Sequence, residues 1–186
     1  MTNVFIIHGT GGHPQENWFS WLKTELTKLG YNVIIPQFPT PENQTPKTWF
    51  DVFDRYKKDF DKETILIAHS LGGAFALRIL EKSNIKINAT FLVATPIGIR
   101  PIKNWDGDQP FIGNKFDWSK IKKNGGKFVV FHSEDDQMVC VENGIELAKE
   151  LGAEIFIEKN AGHFNAKAGY TKFELLLEKI KQCHPV

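Results

Sequence analysis

Six short apolar runs decide what this chain can fold into: Val4–Ile7, Val33–Ile35, Ile65–Ala68, Phe91–Ala94, Phe128–Phe131 and Ile155–Ile157. Each is continuous, whereas a strand with one wet face would alternate apolar and polar residues. Continuous runs of this length fit strands covered on both faces, as in parallel sheets. Segments with helical spacing separate them. Trp18, Trp21, Leu22, Leu26 and Leu29 recur at three- and four-residue intervals, and Gly30 follows as a stop. The same spacing predicts helices over 71–81, 142–151 and 170–181, the last with Phe173, Leu176, Leu177 and Ile180 on its apolar face. Strand and helix alternate throughout, so right-handed crossovers predict an α/β protein of three layers, α/β/α, around a parallel sheet.

Two stretches break the pattern. Residues 36–46 contain Pro36, Pro39, Pro41 and Pro46 and read as an extended loop before a helix at Trp49. Residues 95–126 mix Trp105, Phe111, Phe116 and Trp118 with Gly, Pro and Asn. They read as a long loop, functional or packed as a small flap. With 186 residues the chain has room for one domain, taken here as 1–186, and can bury a core without disulfides or metals.

Charge excludes some functions. Lys and Arg total 23 against 22 Asp and Glu, so the chain lacks the basic excess that marks nucleic-acid or membrane-surface partners. Cys140 and Cys183 have neither zinc-like nor C-x-x-C spacing, and no apolar run is long enough to span a bilayer. The start of the chain carries no signal-peptide pattern. A cytoplasmic location is expected.

Four local patterns carry chemistry. Ile67-Ala68-His69-Ser70-Leu71-Gly72-Gly73 lies between an apolar run and a helix. A sharp strand-to-helix turn of this kind lifts the serine hydroxyl above the sheet, the mechanical content of a G-x-S-x-G nucleophile elbow. Ala68 replaces the first glycine, adding one methyl. A serine N-cap before a glycine-rich helix start would look similar locally. His8-Gly9-Thr10-Gly11-Gly12 follows the first run, where glycines let backbone N–H groups turn inward toward an oxyanion. It lacks the lysine of a phosphate-binding loop. Asp135-Asp136 follows the fifth run and Gly162-His163-Phe164 the sixth. Serine becomes a nucleophile when a histidine takes its proton, and the histidine needs a carboxylate to fix its tautomer. The order Ser, Asp, His at successive strand ends matches that requirement, with Asp135 and Asp136 both open as the acid. The remaining histidines, His8, His13, His69, His132 and His184, show no metal-ligand spacing and read as structural or surface residues, with His69 placed to shape the elbow.

On these motifs and the tryptophan-rich segment Trp18-Phe19-Ser20-Trp21-Leu22-Lys23, the chain resembles the α/β-hydrolase superfamily. Within it, the resemblance is to the small serine hydrolases of the retinoblastoma-binding protein nine and YdeN-like type, over nearly the whole length. It implies a reduced α/β-hydrolase fold with a six-stranded parallel sheet in the order 2-1-3-4-5-6. It implies Ser70 as nucleophile, His163 as base, Asp136 as acid, and oxyanion donors from the backbone of Thr10 and Leu71.

The expected function is that of a serine esterase acting on a small-molecule acyl substrate through an acyl-enzyme, with no metal or cofactor needed. No large lid is present, which favours small or medium acyl groups, and Trp105, Phe111, Phe116 and Trp118 are candidates to wall their pocket. Two alternatives stand beside it: a protein-binding module on a hydrolase scaffold with little turnover, and a small serine peptidase.

Overall fold

The computed structural model describes residues 2–183. The strands are β1 (Asn3–Ile7), β2 (Asn32–Ile34), β3 (Ile65–His69), β4 (Ala89–Val93), β5 (Lys127–Ser133) and β6 (Glu154–Glu158). They form one all-parallel sheet in the order β2-β1-β3-β4-β5-β6, as the resemblance implied. The helices are α1 (Phe19–Lys28), α2 (Pro46–Phe53), α3 (Leu71–Lys82), α4 (Trp105–Ile112), α5 (Trp118–Asn124), α6 (Val141–Leu151) and α7 (Glu174–Cys183).

Crossover handedness distributes them. The chain steps outward from β1 to β2, then reverses and runs β3 to β6 in the other direction, so right-handed connections put α1 on one face and α2 to α6 on the other. Side chains of each strand sort accordingly. Val4, Ile6, Ile65 and Ile67 pack with Trp18, Phe19, Leu22 and Leu26, and the last helix returns to this face through Leu176 and Ile180. Phe5, Ile7, Leu66 and Ala68 pack on the opposite face with Phe38, Trp49, Phe75 and Phe111. Trp49 stacks on Phe38 at 4.8 Å and meets Phe75 and Phe111 edge-on, and truncating a fully buried aromatic of this kind costs about 3–5 kcal/mol. No helix among the described residues is long and apolar enough to cross a membrane.

Three expectations need correction. Residues 95–126 are not a structureless loop, because α4 and α5 lie within them. Asp117 caps α5 by accepting the Lys120 N–H at 3.1 Å, while Phe111, Ile112 and Ile121 bury the inward faces. Gly107 and Pro110 inside α4 hid its period. The last helix starts at Glu174 rather than Tyr170, since Tyr170 and Thr171 bond back to Asn165 and Gly169 in a turn. The sixth run is also not covered on both faces. As the edge strand β6 it leaves Ile157 40% exposed.

Helix α3 runs close behind β1 at its first turn. A methyl built on Gly72 would lie 2.5 Å from the carbonyl oxygens of both Ile7 and His8. Those are backbone atoms, which cannot swing away as a side chain would. Gly72→Ala is therefore expected to destabilise the protein by about 1–3 kcal/mol, seen as a lower urea midpoint at unchanged slope. An unchanged midpoint would contradict this packing.

Candidate active site

The carboxyl ends of β1, β3, β5 and β6 open on the same edge of the sheet, and the four motifs meet there. Ser70 occupies the turn from β3 into α3 with φ 55° and ψ −130°, a conformation costly for a residue with a Cβ. It is held there by its own N–H, which donates to the Val93 carbonyl at 2.9 Å, and by its carbonyl, which accepts from Gly73 at 2.8 Å. The glycine loop passes directly against it: a methyl on Gly9 would stand 2.7 Å from the Ser70 Cβ. Ala68 points into the apolar core beneath the turn and is fully buried. Its extra methyl is absorbed by packing.

His163 reaches the serine from the loop after β6. Its Nε2 lies 2.9 Å from Ser70 Oγ, and its Nδ1 lies 2.8 Å from Asp136 Oδ2. Asp136 is fixed in turn, since its Oδ1 accepts the N–H groups of Met138 and Val139 at 2.8 and 3.1 Å. With Nδ1–H directed at the carboxylate, Nε2 presents its lone pair to the serine hydroxyl. Asp135 points elsewhere. It accepts from the Ser133 hydroxyl and, at 2.9 Å, from the Gly162 N–H, and these two donors hold its carboxyl below the ordinary range. The pair therefore divides its work, with Asp136 on the histidine ring and Asp135 bracing the loop that carries it.

Ser70 and His163 lie in an open cleft of about 530 Å³. Its walls include Glu16, Asn17, Lys103, Asn104, Asp108, Asn165 and Lys167, with Met138 and Val139 as the longer apolar side chains. None of Trp105, Phe111, Phe116 and Trp118 lines it, which corrects their reading as pocket walls. Phe111 is buried beneath α4, Phe116 carries the Arg78 guanidinium, and Trp105 carries that of Arg100. Asp108 was not singled out from sequence. The string Trp105-Asp106-Gly107-Asp108 reads as a turn, and only the helix that forms there turns Asp108 inward. Among the described residues, no group of three or more His, Cys, Asp or Glu side chains is placed to hold a metal ion.

Comparison with known proteins bears on this arrangement. A family profile described as serine hydrolase matches residues 4–182. The chain belongs to that family. It is 27% identical to the ydeN gene product of Bacillus subtilis strain 168 over 177 residues, covering 95% of this chain and 93% of that protein. Serine hydrolase RBBP9 of Rattus norvegicus is 26% identical over 183 residues, covering 97% and 94%. The crystal structure of the B. subtilis ydeN product superposes with a TM-score of 0.92 over 98% of both chains.

Three histidines of this serine hydrolase that lie outside the Ser70–His163–Asp136 chain brace its loops. The His69 ring bonds the His163 carbonyl at 2.7 Å, and that of His132 bonds the Val139 carbonyl at 2.9 Å. His8 bonds the Gly9 carbonyl through Nδ1 and accepts the Phe38 N–H at 3.0 Å through Nε2. His184 lies outside the described residues. A carbonyl partner accepts from the neutral and the charged ring alike, but burial penalises the charge and favours the neutral form. Burial lowers all three pKa values, to about 3 for His69, where the nearby His163 adds to the effect. The sign follows: the unfolded chain takes up protons below about pH 6.5 while the folded one does not, so stability falls as pH drops through that value. For His69 the loss continues down to about pH 3. Each such histidine contributes up to ~1.4 kcal/mol per pH unit. Urea midpoints measured from pH 7.5 to 5 should fall steadily in the wild type and less steeply in His69→Gln. Equal slopes would mean that His69 is not held neutral.

Proposed function

We propose that this protein hydrolyses carboxylic esters through an acyl-enzyme on Ser70. The observation that carries this reading is the unbroken hydrogen-bonded chain from Ser70 Oγ through His163 to Asp136, at the wall of an open cleft. As Ser70 Oγ attacks the ester carbonyl carbon, its proton passes to His163 Nε2. Asp136 stabilises the imidazolium without taking its proton. Carbonyl π electrons move onto the oxygen, which is received by the backbone N–H groups of Thr10 and Leu71. Collapse expels the alcohol oxygen, which takes the proton from His163. Water then repeats the sequence with the acyl carbon and releases the acid. The free thiols Cys140 and Cys183 suit a reducing compartment such as the cytoplasm.

Substrate size follows from the walls. A long alkyl chain laid in this cleft would desolvate the charged and amide side chains on its walls, Lys103, Lys167, Glu16 and Asn104 among them, which offsets the gain from burying methylenes. The natural acyl group is therefore short or polar. Across p-nitrophenyl esters, kcat/KM should be highest for acetate to butyrate and fall by at least tenfold at octanoate. A rise with chain length would contradict this.

The assignments separate by mutation. Ser70→Ala should lose about 10⁴- to 10⁶-fold in ester turnover and all labelling by a fluorophosphonate probe. Asp136→Asn should lower kcat by about 10³- to 10⁴-fold, against less than about tenfold for Asp135→Asn, which keeps an acceptor for Gly162. The reverse ranking would move the acid to Asp135. Full labelling in Ser70→Ala would remove the nucleophile assignment, and turnover of amides above esters would favour a peptidase.

A further inference from the structure

We propose that Asp108 of helix α4 is a positioning residue for the oxyanion loop, acting through the Thr10 hydroxyl. The proposal rests on the esterase reading above. The loop Gly9–Gly12 is a tight turn closed by the Gly12 N–H on the Gly9 carbonyl at 3.1 Å. A turn rich in glycine has little intrinsic rigidity, yet a donor to an oxyanion works only if it is already in place when charge develops. The rigidity is supplied from α4. Thr10 Oγ1 donates to Asp108 Oδ1 at 2.8 Å, and the Asn104 side chain donates to the same oxygen at 2.9 Å. A second tie runs in parallel. The Gly11 N–H donates to Thr40 Oγ1 at 2.6 Å, Thr40 donates to Gln44 at 2.6 Å, and Gln44 donates to the Gly107 carbonyl at 3.0 Å. Two successive loop residues are thus tied to two successive residues of one helix, Thr10 directly to Asp108 and Gly11 to Gly107 through Thr40 and Gln44.

Asp108 is only 4% exposed, with no cation paired to it among the described residues, and burial raises its pKa. A carboxylate kept in such a place purely for folding would be a poor choice, because its desolvation is uncompensated by an opposite charge. Its acceptor oxygen is aimed at the one side chain that the oxyanion loop presents. The carboxylate is tolerated because Thr10 and Asn104 donate to Oδ1 and because Asp108 lies in the first turn of α4, at the positive end of the helix dipole.

The test compares wild type, Thr10→Val, Asp108→Ala, Asp108→Asn and the double variant Thr10→Val/Asp108→Ala. Each is assayed for p-nitrophenyl acetate turnover and for the rate of fluorophosphonate labelling at Ser70. Thr10→Val keeps the shape of the residue and removes only the hydroxyl. Loss of positioning should lower kcat about ten- to a hundredfold in Thr10→Val and in Asp108→Ala, with KM changed less than about threefold. Asp108→Asn keeps an oxygen acceptor and should recover most of the loss. The double variant should be no worse than the poorer single, since both changes break one bond. A kcat within threefold of wild type in Thr10→Val, or single losses that multiply in the double, would overturn the proposal while leaving the esterase reading in place. A wild-type protein that neither turns over the ester nor labels at Ser70 would overturn both.

Discussion

The site depends on how closely three pieces of backbone approach at the end of β3. Helix α3 starts against the carbonyls of Ile7 and His8, and the glycine loop crosses the Cβ of Ser70, with a hydrogen atom's width to spare at Gly72 and Gly9. This approach holds Ser70 in its unfavourable dihedrals, because relaxing them would drive the helix into β1 or the serine into the loop. The hydroxyl is consequently presented to His163 with few alternatives. The strain of the turn is offset by apolar burial on both faces of the sheet, where Val4–Ile7 of β1 and Ile65–Ala68 of β3 are fully buried.

Around this turn, polar bracing follows one rule: each loop of the site is held by a side chain from a different segment of the chain. His69 and Trp18 both bond carbonyls of the His163–Phe164 segment, and Asp135 holds its Gly162 N–H. His132 holds the far end of the Asp136 turn at Val139, and Asp136 itself caps that turn. These braces are buried neutral histidines or capped carboxylates, so they stiffen the site without adding free charge beside the serine. The charged side chains that line the cleft, Lys103, Lys167, Glu16 and Asp108, stand on its walls.

Much of this was legible in the sequence because it depends on local signals. Continuous apolar runs give strands with two covered faces, and Ser70, His163 and the acidic pair each directly follow one. The strand order was carried by family resemblance, since no local pattern states which strands are neighbours. Choosing Asp136 over Asp135 also drew on that resemblance; in the structure Asp136 meets the His163 ring, while Asp135 meets Ser133 and Gly162. What sequence missed has a common cause. Helices α4 and α5 are short, and α4 contains Gly107 and Pro110, so their period is too brief to register. Asp108 inherits that blindness, because its role exists only once α4 turns it toward Thr10. The exposed flank of β6 is likewise a matter of position in the sheet, which an apolar run cannot reveal.

The separation in sequence of the groups that hold His163 has a kinetic consequence. Asp136 is 27 residues away, but the histidine's other partners lie 93 away at Ser70 and 94 at His69, and Trp18 reaches its neighbour Phe164 across 146. Closing loops of that length is slow compared with forming helices or pairing adjacent strands. During refolding, then, secondary structure is regained well before the serine meets its histidine. On the esterase reading, the return of Ser70 reactivity would mark when these long-range contacts have formed over the sheet.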